Sequence, residues 1–203
     1  GFGRDTLAPA YGLAESTLAV TASPVGVAPR LFTLDAAALE NGRIALDGAA
    51  ARRTVIAGCG TPLADVTIAI VDPETGRRRP PDRVGEIWGG GPTIARGYWR
   101  RIEASLATFG SHIPGEHDPI GYLRTGDLGA MIGDELCVTG RIKDLIILSG
   151  ANHYPQDIER AAQAAHPALR VDGGAAFGIA GDDGTEQVVL VQELTRTQRR
   201  SDP

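Results

Sequence analysis

Asp127, Arg141 and Lys143 put a carboxylate, a guanidinium and an amine into one short stretch, residues 122–150 (YLRTGDLGAMIGDELCVTGRIKDLIILSG). Asp127 closes Thr125-Gly126-Asp127, a tight-turn signature, and Gly133-Asp134 marks the bend of a hairpin. Arg141 and Lys143 fall in a second turn beginning at Gly140, before the apolar run 145–148. The alternation in 135–139 predicts a half-buried strand between the two turns. Two charged turns bracketing one hairpin can set an anion acceptor and cationic donors on the same side. The Asp127 carboxylate can then accept both hydroxyls of a ribose, while Arg141 reaches ribose or phosphate oxygens, so the arrangement suits a nucleotide. The same spacing is met equally by two solvated turns with charges at their tips.

Four motifs in order extend the pattern. Residues 11–15 read YGLAE, 85–109 GEIWGGGPTIARGYWRRIEASLATF, 122–150 the stretch above, and 152–159 NHYPQDIE. Together they resemble the nucleotide-binding core of the adenylate-forming superfamily, which includes acyl- and aryl-CoA synthetases, luciferases and nonribosomal adenylation domains. Within it they are most similar to the fatty acyl-AMP ligases, from about residue 1 to about residue 194. Such enzymes join a carboxylate to the α-phosphorus of ATP and expel pyrophosphate, with Mg²⁺ on the polyphosphate.

The resemblance implies a role for each matching residue. Tyr11 would lay its ring against adenine, with Gly12 letting the backbone approach. Glu15 would act in catalysis by helping to hold Mg²⁺, a hard cation that takes oxygen ligands and keeps several waters. Asp127 would take the ribose hydroxyls and Arg141 a ribose or phosphate oxygen. Lys143 falls at the family's hinge, where the small lobe rotates between adenylating and acyl-transfer arrangements. The chain departs from the pattern in two places: Ala14 stands where many relatives carry Thr, and Ser149-Gly150-Ala151 where this family often has Arg-Gly-Arg.

The elements that must position these residues are legible in outline. Residues 16–22 read as a buried strand, 66–71 and 85–88 as strands joined by the loop 72–83, and 101–109 as a short helix. Gly89–Gly91 is not a phosphate loop, because no Gly-Lys-Ser/Thr follows and Pro92 lacks an amide donor; it is expected to let backbones pass closely. Pro155 fits a first helical turn, with Ile158, Ala161, Ala162 and Ala165 on one helix face. Residues 175–179 and 187–194 read as strands joined by Gly-Asp-Asp-Gly, and 195–203 as a frayed tail. Between 23 and 58 the pattern loosens: two prolines, LDAAALENG as a short helix ending at Gly42, then a polar, Ala-rich patch. This reads as an inserted module rather than core. The acyl-AMP ligases carry an insertion at this point that restrains the small lobe and disfavours transfer to CoA.

Composition bounds the rest. The chain has 203 residues, 42% hydrophobic and 5% aromatic, enough for an aliphatic core, and a net charge of −5 that offers no general attraction to nucleic acid. Two cysteines, Cys59 and Cys137, fit no disulfide framework or metal spacing and point to a reduced, cytoplasmic setting. His112, His117, His153 and His166 also lack metal-ligand spacing; His112 and His117 read as solvated loop residues, and His153 as ordering the turn into a helix. There is no apolar run long enough to span a bilayer. The expected fold is mixed α+β. Residues 1–141 would form the β-rich distal part of a large adenylation domain, with 23–58 as the insertion, and 142–203 the start of a small α+β lobe. The opening GFGRDTL, without Met, reads as a piece of a longer protein. Its triphosphate loop and C-terminal lysine would lie beyond these residues, leaving the chain inactive alone. The expected function is part of a fatty acyl-AMP ligase that uses ATP and Mg²⁺ and passes the acyl group to an acyl-carrier protein or polyketide synthase phosphopantetheine. The alternatives are a fatty acyl-CoA synthetase, or an inactive truncated nucleotide-binding or interaction module.

Overall fold

Strand β1 (Ala10–Gly12) pairs antiparallel with β2 (Ala19–Ala22), so the strand expected over 16–22 begins only at Ala19. A single helical turn at Ala14–Ser16 and a left-handed Thr17 (φ 71°) occupy the residues before it. The computed structural model describes residues 1–46, 49–116, 121–181 and 185–196. His117, the Asp-Asp-Gly of the last strand connection and the tail from 197 onward lie outside the described residues.

The 23–58 stretch is better ordered than its composition suggests. Strand β3 (Leu31–Asp35) leads into helix α1 (Ala36–Glu40), capped by the Asp35 carboxylate, which accepts from the Ala37 and Ala38 amides. Strand β4 (Arg53–Ala57) returns antiparallel to β3, and β5 (Thr61–Pro62) then adds to the free edge of β2. Alternation along β3 turns Phe32 and Leu34 inward, where they pack with Ile132 and Cys137 and with half-buried Ile44 and Ile56. The expectation of a module separate from the core is therefore corrected, because its inner face completes one wall of that core.

The main sheet is antiparallel, in the order β6 (Thr67–Val71), β7 (Gly85–Gly90), β8 (Leu123–Ile132), β9 (Glu135–Arg141). Helix α1 is followed in the chain by α2 (Ile102–Thr108), which leads toward β8. One buried cluster joins Ala69, Val71, Trp88, Ile113 and Tyr122; another joins Ile70, Ile87 and Leu136. With apolar partners on both sides, all six residues of β7 are buried. Strand β9 is likewise buried at Glu135, Leu136, Cys137 and Thr139, so it is not the half-exposed strand that its alternation predicts. Gly91 behaves as expected: a Cβ there would meet the Asp65 carbonyl oxygen at 2.3 Å. The first expected turn is absent, and the second is confined to Ile142–Asp144. Thr125-Gly126-Asp127 lies inside β8 and Gly140-Arg141 inside β9, because strand pairing continues past both glycines.

The chain divides into units Gly1–Ile142 and Lys143–Pro203. In the second, β10 (Ile146–Leu148) and β11 (Ala151–His153) form a tight hairpin over Ser149 and Gly150, both at positive φ. Helix α3 (Pro155–Ala165) begins on Pro155 as expected, and β12 (Leu169–Ala180) pairs antiparallel with β13 (Glu186–Leu194). Ile158 and Ala162 are half-buried on α3 while Ala161 and Ala165 are exposed. The covered side of α3 is thus rotated from the apolar stripe, and Glu159 on it accepts the Ala176 amide. The fold is mixed α+β and strand-rich. Among the described residues no helix is long and apolar enough to cross a membrane.

Candidate functional site

The site is built on a bulge. Along β7 and β8 Glu86 pairs with Leu128 and Trp88 with Arg124, so residues 125–127 have no counterparts beyond Ile87 and leave the ladder. Their backbone groups, and those of Ile87 opposite, need other partners. Thr125 supplies two: its hydroxyl donates to the Ile87 carbonyl at 2.7 Å and accepts from the Asp127 amide at 3.1 Å. Glu86 supplies the third, its Oε1 accepting from the Gly126 amide at 3.2 Å. The other Glu86 oxygen accepts from Arg124 Nε and Nη2 at 3.1 and 2.8 Å, and the Arg124 guanidinium lies 5.4 Å from the centre of the Trp88 ring. Gly126 sits at φ 74°, where a Cβ would meet nothing within 4 Å, so the space beside it is open.

The bulge presents Asp127 to two donors. Oδ1 accepts from Arg141 Nε at 2.6 Å and Oδ2 from the Tyr11 hydroxyl at 2.7 Å. Asp127 and Arg141 are direct cross-strand partners, and the Asp127 side chain is 12% exposed against 64% for Arg141. One end of this ion pair therefore faces solvent, where it is weakly held and exchangeable. Tyr11 packs against the Ile70, Ile87 and Leu136 cluster. Burial, reinforced by its bond to Asp127, pushes the Tyr11 phenol above its ordinary pKa, so it stays a donor. Gly12 has a structural reason besides any ligand: a Cβ there would stand 1.8 Å from the Leu18 carbonyl oxygen.

Glu15 lies in the helical turn after β1, its carbonyl accepting from the Ala95 amide at 2.8 Å. Its Oε1 accepts from the Tyr98 hydroxyl at 2.6 Å, a bond that also raises the Tyr98 phenol pKa. Among the described residues no group of three or more His, Cys, Asp and Glu is arranged to hold a metal. A single carboxylate still fits Mg²⁺, which takes most of its shell from water and phosphate oxygens. Lys143 is exposed, in the short turn Ile142–Asp144, and belongs to the second unit.

The structure thus joins Tyr11, Asp127 and Arg141 by direct bonds and links Glu15 to Tyr98. Sequence reasoning missed Glu86, Thr125 and Tyr98 as parts of these arrangements. The available signal for Glu86 was a carboxylate beside Ile87-Trp88 in a strand that must be covered on both faces.

Comparison with known proteins gives three findings. Residues 1–99, which include Tyr11 and Glu15, match the family model described as AMP-binding enzyme. A medium-chain-fatty-acid–acyl-carrier-protein ligase, JamA, of Moorena producens is 45% identical over 204 residues, covering 99% of this chain and 34% of the relative. Among solved structures, one from a study of fatty acyl-adenylate ligases from E. coli and L. pneumophila matches with TM-score 0.78 at 32% identity, over 98% of this chain and 34% of that one. The L. pneumophila fatty acyl-adenylate ligase in complex with acyl adenylate and pyrophosphate matches with TM-score 0.67 at 36% identity, again over 98% and 34%. The chain spans about a third of the length of the curated relative and of these structures.

Proposed function

We propose, for a chain whose residues 1–99 match the AMP-binding enzyme family model, that the whole protein activates a fatty acid with ATP and hands the acyl group to the phosphopantetheine thiol of an acyl-carrier protein. A carboxylate oxygen of the fatty acid attacks the α-phosphorus, the α–β phosphoanhydride breaks, and pyrophosphate leaves with the charge. The thiol sulfur then attacks the acyl carbonyl, the bond to AMP breaks, and the thiol proton passes to solvent. The observation that carries the reading is Asp127, its two oxygens held between the Tyr11 hydroxyl and Arg141. A ribose diol can replace these donors one for one: the carboxylate accepts two hydroxyls, and the released Arg141 reaches a ribose or phosphate oxygen. Tyr11 offers its ring to adenine, and Glu15 would hold Mg²⁺, which neutralises polyphosphate charge when bound.

In the same proposal residues 1–141 are the distal part of the large domain, 23–58 its insertion, and 142–203 the beginning of a small lobe turning about Lys143. A cytoplasmic, reducing setting also belongs to it, supported by two free thiols. The test uses the whole protein, trapping acyl-adenylate with hydroxylamine and offering carrier protein or CoA as acceptor. Asp127→Asn keeps the side-chain volume and removes the charge, so adenylation should fall about a hundredfold, the usual scale for losing a charged contact to substrate. Wild-type protein that releases no pyrophosphate with any fatty acid defeats the reading. Acyl-CoA forming as readily as acyl-carrier would reassign the acceptor only.

A further inference from the structure

We propose that Glu86 is a positioning residue that gives the site its preference for nucleotides with both ribose hydroxyls over those with neither; this rests on the reading of Asp127 as the ribose acceptor. Glu86 is 2% exposed, yet its carboxylate pairs with Arg124, which is itself partly open to solvent. A charge so placed is costly unless it satisfies groups that would otherwise be orphaned. It satisfies one that matters: the Gly126 amide, cut off from the ladder by the bulge, one residue before Asp127. Both oxygens are engaged, Oε1 by Gly126 and Oε2 by Arg124, so the carboxylate ties the crown of the bulge to the strand beneath it.

The consequence follows from geometry. The Asp127 side chain meets Tyr11 and Arg141, but a diol must share or displace both of those donors, so they cannot alone hold the carboxylate in place once it is bound. What remains is the backbone, set by Glu86 at Gly126 and by Thr125 at the Asp127 amide. A diol needs both carboxylate oxygens at fixed positions, whereas a nucleotide lacking the hydroxyls does not. Loosening Gly126 therefore weakens ribose recognition and leaves base and phosphate contacts alone. In Glu86→Gln only one oxygen remains, and the new amide donor meets either the Gly126 amide or the Arg124 guanidinium, so the bridge that anchors Gly126 through Arg124 is cut whichever way the side chain turns.

The experiment measures binding of ATP and of 2′,3′-dideoxy-ATP to the whole protein by calorimetry, with thermal melting as the check on folding. Wild type should prefer ATP by about tenfold or more, as two hydroxyl contacts to a carboxylate imply. Folded Glu86→Gln should narrow that preference to within about threefold, with dideoxy-ATP affinity and the KM for fatty acid unchanged. Gly126→Ala is the second variant: its Cβ would meet nothing within 4 Å, so it acts only by disfavouring the left-handed backbone, and it should give the same narrowing. A wild type without preference would remove the Asp127 reading and Glu86 with it. A folded Glu86→Gln that keeps the full preference overturns the role of Glu86 alone. If Glu86→Gln does not fold, Gly126→Ala decides, a retained preference overturning the proposal and a lost one supporting it.

Discussion

Replacing Gly12 by alanine is a small change that the geometry makes severe. The added Cβ would stand 1.8 Å from the Leu18 carbonyl oxygen and 2.8 Å from the Ala19 Cα. Both are backbone atoms, at the start of β2 and just before it, so no rotamer change relieves the overlap, and β1 must move off β2. Gly12 pairs with Ala19 beside a register shift at Tyr11, and the displacement passes directly to the ring whose hydroxyl donates to Asp127. Forced overpacking costs ~1–3 kcal/mol. Losing a hydrogen bond to a charged group costs ~1.5–3 kcal/mol. The two share one displacement and are not additive, so a loss of about 2–4 kcal/mol is expected. Gly133→Ala is the control, since its φ of 65° is also left-handed but its Cβ would meet nothing within 4 Å. That variant should lose only the ~1–2 kcal/mol of left-handed backbone strain. Urea unfolding followed by tryptophan emission measures both, and nucleotide titration reads the displaced Tyr11. Equal midpoints for the two variants, with nucleotide affinity retained in Gly12→Ala, would refute the steric reasoning.

Burial raises the Cys137 thiol to about 12, so iodoacetamide at pH 8 should leave it unmodified in the folded protein and label it in urea. Because its folded pKa lies above the unfolded value, Cys137 favours folding fully below about pH 8.5; that contribution falls as pH rises, by ~1.4 kcal/mol per unit. Cys137→Ala should flatten the alkaline limb of a stability–pH profile, and an unchanged slope would count against the buried thiol. Deleting 23–58 strips Phe32 and Leu34 from Ile132 and Cys137. At ~1.5–3 kcal/mol for each large side chain, the loss should be roughly 3–6 kcal/mol in urea unfolding. Acceptor choice is then better probed on the outer face of β3 and β4, where Leu31 and Val55 are about half exposed. Leu31→Asp should leave stability within about 0.5 kcal/mol while raising acyl-CoA formation if this module restrains transfer.

Much of the architecture was legible because it rests on local rules. Strands 67–71 and 85–90, the hairpin at Gly133-Asp134, the helix opening on Pro155 and the short helix before Gly42 all follow from alternation, turn chemistry or capping. The failures share a cause in tertiary pairing. Thr125-Gly126-Asp127 reads as a turn because Gly126 needs a positive φ, yet it is a bulge, because β7 and β9 flank it on both sides. Residues 23–58 read as loose because two prolines and a polar, Ala-rich patch break up any apolar period. Yet Phe32 and Leu34 alternate onto one face and meet buried partners far along the chain. Nor could the charge of Glu86 be assigned beforehand, since it answers a backbone donor forty residues away.

The difference between turn and bulge changes what Asp127 can do. A carboxylate at the tip of a solvated turn samples many positions, and each contact it makes to a ligand must first order it. The same carboxylate on a bulge is held at both backbone ends by strand pairing and at its crown by Thr125 and Glu86. Recognition of two hydroxyls at once depends on that prior ordering, because preorganised acceptors lose less entropy on binding. This also explains why Tyr11 and Arg141 can serve as temporary partners. The carboxylate stays satisfied while no ligand is bound, and strand pairing would keep it in place if the proposed ribose took over those bonds.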